Sequence, residues 1–299
     1  MDVSLLQTFQ VVADEGSFSR AAQKLFRTQP AISLALKRLE TDLGVQLIDR
    51  SSRTLVLTDA GTLVLEYAKR FDGLEKQLRR ALTELRDLDA GKLTIGANES
   101  TALYLLEHLE AFRRRHPRIA VELRRSLSSE IPDGVLEGSI ELGAISYDPK
   151  DPNLAVFELY NDSLTFVVSP KHSLARRRKV SIRELGEETF IAHNVVSPYR
   201  ERVIEAFRTY DVPLNMAVEM PTIETIRRLV QRNLGVAFLP KMCVEQEIKN
   251  GSLKEVTVKE LAMERKIRLV YPMKRKLSQA VGAFLELVGE ELRALKVGR

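Results

Sequence analysis

Apolar residues at Leu5, Leu6, Phe9, Val12 and Ala13 recur at helical spacing, which predicts a first amphipathic helix ending near Gly16. Ser4-Leu5-Leu6-Gln7 at its start is a capping-box pattern, with Ser4 as the cap and Gln7 reaching back. Ser19 is placed to cap a short second helix, Arg20 to Phe26, whose Ala21 and Ala22 leave room for a close neighbour. Thr28-Gln29-Pro30 opens a third helix, because proline's fixed φ suits the first turn and its missing N–H is not needed there. Projected at the helical period, Ile32, Ala35, Leu36 and Leu39 share one face, the predicted core side. Pro30, Ser33, Leu34, Lys37, Arg38 and Thr41 share the other, a short polar and basic surface of the kind that fits a major groove.

Two short apolar runs follow, 45–48 and 55–57, joined by Asp49-Arg50-Ser51-Ser52-Arg53-Thr54. They predict a β-hairpin wing with Arg50 and Arg53 at its tip, suited to a minor groove or to flanking phosphates. From the candidate cap Thr58 onward, Ala60, Val64, Tyr67, Phe71, Leu74, Leu78, Ala81, Leu85 and Leu88 are spaced alternately four and three apart. Such a heptad seam predicts a helix about 43 Å long. Its apolar stripe needs a cover, either the helix's own domain or, more simply, a second copy of itself. The stretch 87–92, with Ala90-Gly91, ends it.

Beyond this point the period alternates. Strands are predicted at 92–96, 119–123, 140–145, 164–168, 190–193, 235–240 and 267–271, and helices between them, including 199–210, 223–231 and 279–295. That order predicts a parallel α/β sheet with ligands at the carboxyl ends of its strands. Ser100, Thr101, Ser128 and Ser129 would bring hydroxyls and N–H groups to two helix starts, a seat for a carboxylate or other oxyanion. The plainer reading of each is a helix cap. Asn98, Ile145, His193, Asn194 and Thr222 stand at further strand or helix ends facing the same cleft. Glu99 either binds an effector's ammonium group or turns outward.

Length and charge sharpen this picture. The chain's 299 residues call for more than one compact unit. Its net charge is only +5, yet from Phe18 to Arg38 there are Arg20, Lys24, Arg27, Lys37 and Arg38 and no acidic residue. A focused positive face on an otherwise balanced domain fits a phosphate-reading surface. Arg113 to His116 and Arg176 to Lys179 are read as solvated faces. Cys243 is the only cysteine, expected as a buried inert thiol in a reducing compartment. The first residues resemble no leader, and no apolar run of about 18 residues occurs, so a soluble cytoplasmic protein without membrane contact is expected.

The strings Gly16-Ser17-Phe18-Ser19-Arg20-Ala21-Ala22, Gln29-Pro30-Ala31-Ile32-Ser33, Leu39-Glu40, Leu43-Gly44-Val45-Gln46-Leu47, Asp49-Arg50 and Leu57-Thr58-Asp59-Ala60-Gly61 resemble, at fixed spacing, the signature of LysR-type transcription regulators. Phe112 to Pro117, Leu136 to Leu142, Ser169 to Ala175 and Leu234 to Pro240 resemble that family's sensor domain, so the likeness spans essentially the whole chain. It implies a multidomain protein: a winged helix-turn-helix domain over 1–58, a coiled-coil linker helix over 59–90, and an effector domain over 91–299. The last would resemble type 2 periplasmic binding proteins, with two Rossmann-like halves, 91–161 with 267–299 and 162–266, crossing near Asn161 and Lys266.

The resemblance further implies that Gln29, Pro30, Ser33 and Lys37 approach bases or phosphates and that Arg50 and Arg53 act from the wing. With Arg20, Thr28, Leu34 and Arg38 they form the expected DNA-binding set. Leu34 departs from the polar or basic residue usual there; it fits a thymine methyl but removes a donor. The implied partners are a double-stranded operator, a small anionic or amino-acid-like effector, and further copies of the chain as dimer or tetramer. No cofactor and no metal are expected. An enzyme is disfavoured by the absence of a nucleophile elbow, a dinucleotide-binding turn or a P-loop, and His108, His116, His172 and His193 form no metal-ligand spacing. A solute-binding transport component would share only the C-terminal architecture.

Overall fold

The computed structural model describes residues 2–49, 54–86, 91–195 and 197–297. The chain divides into two compact units, Met1–Asp87 with Glu137–Ser139, and Leu88–Leu136 with Ile140–Arg299.

Helix α1, Val3–Glu15, starts two residues earlier than its apolar period, because Asp2 caps it by accepting the Ser4 N–H at 2.8 Å. Ser4 is therefore not the cap, a correction to the capping-box expectation. Gly16 ends the helix in the left-handed region at φ 56°. Ser17, not Ser19, caps α2, Phe18–Lys24. Helix α3, Gln29–Leu43, follows the N-cap Thr28 with Pro30 in its first turn. It buries Ile32, Ala35, Leu36 and Leu39 as its pattern predicted. With Leu6, Phe9 and Val12 of α1 and Ala21 and Ala22 of α2 they close one core. Strands β1, Ile48–Asp49, and β2, Val56–Leu57, pair antiparallel, while the wing tip with Arg50 and Arg53 lies outside the described residues.

Helix α4, Asp59–Arg86, is capped by Thr58, whose Oγ1 accepts the Gly61 N–H at 2.9 Å. A side chain at Gly61 would place its Cβ 2.1 Å from the Leu47 carbonyl oxygen, so only glycine lets the helix pass the hairpin this closely. Gln7, freed from capping, donates from its side-chain amide to Glu75 of α4 at 2.9 Å.

In the second unit the chain winds β3, Gly91–Ala97, α5, Glu99–Arg115, β4, Ile119–Arg125, α6, Ile131–Glu137, and β5, Leu142–Ile145. β3 pairs parallel with both β4 and β5, as the alternating period predicted. The next strand, β6, is far longer than expected, running Leu154–Val168. After β7, Lys179–Val180, come β8, Thr189–His193, α7, Pro198–Thr209, β9, Asn215–Met220, and α8, Ile223–Gln231. The chain ends with β10, Ala237–Pro240, α9, Glu245–Lys249, β11, Lys254–Val258, β12, Met263–Pro272, and α10, Gln279–Val297.

Eight strands form one mixed sheet in the order β4-β3-β5-β12-β6-β11-β7, with β10 also on β6. Phe166 and Val167 are paired by both β10 and β11, so these flank the distal end of β6 on opposite sides. β8 and β9 pair parallel beside it, linked by the Phe190–Val236 bridge. β6 and β12 lie antiparallel along their length, with Asn161 opposite Lys266 and Asp162 opposite Arg265. Each end of this long pair carries its own core. One gathers Leu93, Ile95, Leu105, Phe112, Phe284 and Val288; the other gathers Phe166, Phe190, Val203, Phe207 and Val236. No helix among the described residues is long and apolar enough to cross a membrane.

Candidate functional site

On the first unit, the face of α3 turned from the core exposes Gln29, Pro30, Ser33, Leu34, Lys37, Arg38 and Thr41, with Leu34 half-exposed. Thr28 beside them is exposed and makes no side-chain cap hydrogen bond. Lys37 and Arg38 have no ion-pair partner among the described residues, which keeps both charges available to an outside anion. Arg20 is differently placed. Its Nε donates to the Glu15 carbonyl oxygen at 3.1 Å, at the carboxyl end of α1, and Lys24 pairs with the Glu15 carboxylate at 2.6 Å.

One feature of this surface escapes a period-based reading. Phe26 is 96% exposed and sits at φ 53°, in the left-handed region, at the turn between α2 and α3. Arg27, also exposed, follows it directly. The absence of any acidic residue around Arg27 was the available signal; nothing in the pattern marked Phe26.

Along α4, Tyr67, Phe71, Leu74 and Leu78 of the heptad seam are 40–61% exposed. Ala60 and Val64 instead pack on the first unit's core. Ala81, Leu85 and Leu88, the rest of the seam, carry no side-chain description. Glu66–Arg70, Asp72–Lys76 and Glu75–Arg79 line the helix as i,i+4 ion pairs, the acid always N-terminal, an order that suits the helix dipole.

The second unit encloses a cavity of about 430 Å³. One wall comes from the carboxyl ends of β3 and β4: Asn98, Glu99, Ser100, Arg125, Ser126 and Ser128. The opposite wall comes from β8, α7, β9 and β10, with Phe190, His193, Val203, Met216 and Phe238. Arg265 of β12 lies between them, 3% exposed. It pairs with Asp162 at 3.0 Å, donates to Ser100 Oγ at 3.1 Å and stacks over the Tyr199 ring at 5.0 Å. Burial pushes the Asp162 carboxyl above its ordinary range even beside this guanidinium.

Glu99 turns neither outward nor to open solvent. Its two carboxylate oxygens accept the Ile223 N–H at 2.9 and 3.1 Å, at the first residue of α8, where the helix dipole favours a negative charge. His193 Nδ1 accepts the Val195 N–H at 3.1 Å, so Nε2 carries the proton that faces Glu99 at 3.4 Å.

Of the residues expected in the effector site, Asn98, Glu99, Ser100, Ser128 and His193 do line this cavity. Thr101, Ser129, Ile145, Asn194 and Thr222 do not. Thr101 is fully buried and closes the capping box of α5 with Asn98, while its hydroxyl donates to the Ala144 carbonyl at 3.1 Å. Ile145 is fully buried opposite Arg268 of β12. Thr222 caps α8, its plainer reading. Asn194 is exposed after β8, its backbone N–H donating to the Met220 carbonyl at 3.0 Å. Ser128 and Ser129 stand in a turn before α6, not at its start, and Ser128 Oγ accepts from the Asn98 amide at 2.5 Å. The expected double helix-start seat is thus not assembled by those four hydroxyls.

Arg125, Tyr199, Arg200 and Arg265 were missed. Arg125 lies two residues past the predicted strand end, within reach of the strand-end rule; Tyr199 and Arg200 of α7 and Arg265 of β12 lie far along the chain from it and gave no local signal. Cys243 is half-buried, and burial pushes its thiol up to about 12, out of the range of ready thiolate chemistry. No cluster of three or more potential metal ligands occurs among the described residues.

The bacterial regulatory helix-turn-helix family of LysR type matches residues 3–62, and the LysR substrate binding domain matches residues 86–293. A probable RuBisCO transcriptional regulator of Cyanidioschyzon merolae (strain NIES-3377 / 10D) is 32% identical, covering 94% of this chain and 95% of its own. Another from Chlorokybus atmophyticus is 32% identical, covering 93% and 91%. Among solved structures, CbnR, a LysR family transcriptional regulator, superposes with a TM-score of 0.68 at 22% identity, covering 97% of this chain and 99% of that one. The Synechocystis PCC6803 CcmR regulatory domain, in complex with 2-PG, gives 0.60 at 20% identity, covering 66% and 95%. With both family domains matched in that order along the chain and relatives about a third identical over nearly its whole length, the chain belongs to the LysR family of DNA-binding transcription regulators.

Proposed function

We propose that this regulator binds a two-half-site operator as a dimer, or as a tetramer built from dimers, and that a small molecule in the cavity of the second unit alters that binding. The reading divides the chain at 1–58, 59–90 and 91–299, with lobes 91–161 plus 267–299 and 162–266. The exposed face of α3 carries the DNA assignment. Gln29, Pro30, Ser33 and Leu34 meet base edges, while Thr28, Lys37 and Arg38, with Arg50 and Arg53 from the wing, meet phosphates. Arg20, already held by the end of α1, orients α2.

The dimer rests on the seam of α4. Four large apolar side chains exposed in a row along one helix lack a cover within their own unit, and a second copy supplies one. A family neighbour crystallised with its target DNA, CbnR, and one holding 2-PG support the division of labour between the units. Replacing Leu74 and Leu78 by lysine would bring like charges into the helix pair. The double variant should sediment as a monomer and lose operator affinity steeply, since one half-site supplies too few contacts. A dimer of undiminished strength would remove α4 from the interface.

A further inference from the structure

We infer that the cavity takes an apolar-bodied carboxylate of at most one net negative charge, either a simple aromatic or aliphatic acid or an apolar amino acid. This rests on the effector-cavity reading above and narrows its ligand class. The first observation is the far wall. Leu164, Phe190, Val203, Met216 and Phe238 come from five elements to line it, with the Phe190 and Phe238 rings stacked 5.8 Å apart at 3°. Such a surface rewards the removal of apolar atoms from water and offers a phosphate or polyol nothing.

The second observation is how few polar groups remain open. Arg265 is held by Asp162 and Ser100, and Arg200 by the His193 carbonyl and Glu219. The Tyr199 hydroxyl donates to the Ser146 carbonyl. Arg125 differs: it is exposed, lines the cavity beside Ser126, and has no hydrogen-bond or ion-pair partner among the described residues. It is suited to a single carboxylate.

The third observation limits the ligand's charge. Glu99 and Glu130 both line the cavity. With Arg200 and Arg265 paired with their acids, Arg125 is the remaining lining arginine to set against the carboxylates of Glu99 and Glu130, so a second negative charge on a ligand would be repelled. The N-terminus of α8, the natural seat for such a charge, is already occupied by Glu99. The same carboxylate is where an amino acid's ammonium group would go, and a simple acid would do without it.

Calorimetric titration and thermal shift of the full chain test this with butanoate, pentanoate, hexanoate, phenylacetate, L-leucine and L-phenylalanine, against citrate and inorganic phosphate. The apolar acids should bind, each added methylene tightening Kd about fourfold until the cavity fills. Arg125→Ala, at an exposed position, should weaken them about tenfold or more. Ala192→Phe, which fills the cavity, should abolish binding, with circular dichroism reporting that the variant is folded. Glu99→Gln separates the two sources by weakening the amino acids and sparing the simple acids. Citrate or phosphate binding more tightly, and lost in Ala192→Phe, would overturn the ligand class and leave the effector cavity standing. Binding unchanged by both Arg125→Ala and Ala192→Phe would overturn the cavity reading and this inference with it. No apolar probe binding at millimolar concentration also overturns the ligand class.

Discussion

Replacing Asp162 by alanine should destabilise the protein by about 3–5 kcal/mol, because it strands a buried guanidinium. The side chains of Arg265 and Asp162 are 3% and 1% exposed, and their atoms lie 3.0 Å apart as cross-strand partners on β12 and β6. Asp162 also accepts the Met242 N–H at 3.1 Å. Since the carboxyl is pushed upward by burial despite its partner, desolvation outweighs the attraction, and the pair as a whole is no strong source of stability. Breaking it from one side is what costs. Asp162→Asn keeps an acceptor for Met242 and should lose less than alanine does. The double variant Asp162→Ala with Arg265→Met removes both charges and should recover much of the loss. Thermal unfolding followed by far-ultraviolet circular dichroism reads this as a fall of roughly 6–20 °C for the single alanine variant. A shift below about 2 °C, or a double variant as unstable as the two singles combined, would refute the reasoning.

Two smaller perturbations follow from single residues. Phe26→Asn should raise stability by about 1 kcal/mol in urea titrations, because asparagine tolerates the left-handed region that phenylalanine occupies without burying its ring; a loss of stability would mean the ring packs in a way its exposure denies. Glu122 is held down to about 2 by hydrogen bonds from Arg124 and Lys92, so its contribution is present above the ordinary 4.5 and vanishes as pH falls through about 2. Because the group is partly exposed, Glu122→Gln should remove less than about 1 kcal/mol at neutral pH and flatten the stability curve between those two values; an unchanged acid limb would contradict the assignment.

The amphipathic helices were legible because one period separates their faces. Ile32, Ala35, Leu36 and Leu39 of α3 are buried, and Ser33, Leu34, Lys37 and Arg38 are exposed, as the projection requires. Caps were less legible, since Asp2, Ser4, Ser17 and Ser19 all offer suitable side chains and only backbone geometry chooses among them. The crossing strands failed for a physical reason. Their alternation persists through Asp162 and Arg265, but the inward positions there are charged, so a search for apolar periodicity stops at Leu164 and Ile267. The serine-rich seat failed because its donors are spent internally: Thr101 on Ala144, Ser100 on Asn98, and Asn98 on Ser128. The cavity's apolar wall was invisible because Phe190, Val203, Met216 and Phe238 meet only through long-range packing.

The central claim, that the exposed face of α3 reads DNA, is tested most directly by the salt dependence of operator binding. The operator would be selected from random duplexes by the full-length protein. Lys37→Ala should weaken binding to every duplex and reduce the slope of log affinity against log salt by roughly one unit, as a lost phosphate contact does. Ser33→Ala and Gln29→Ala should leave that slope unchanged and cost about 1–3 kcal/mol at particular base pairs of the selected site. Three variants that bind the selected duplex with wild-type affinity, salt slope and base preference would contradict the account.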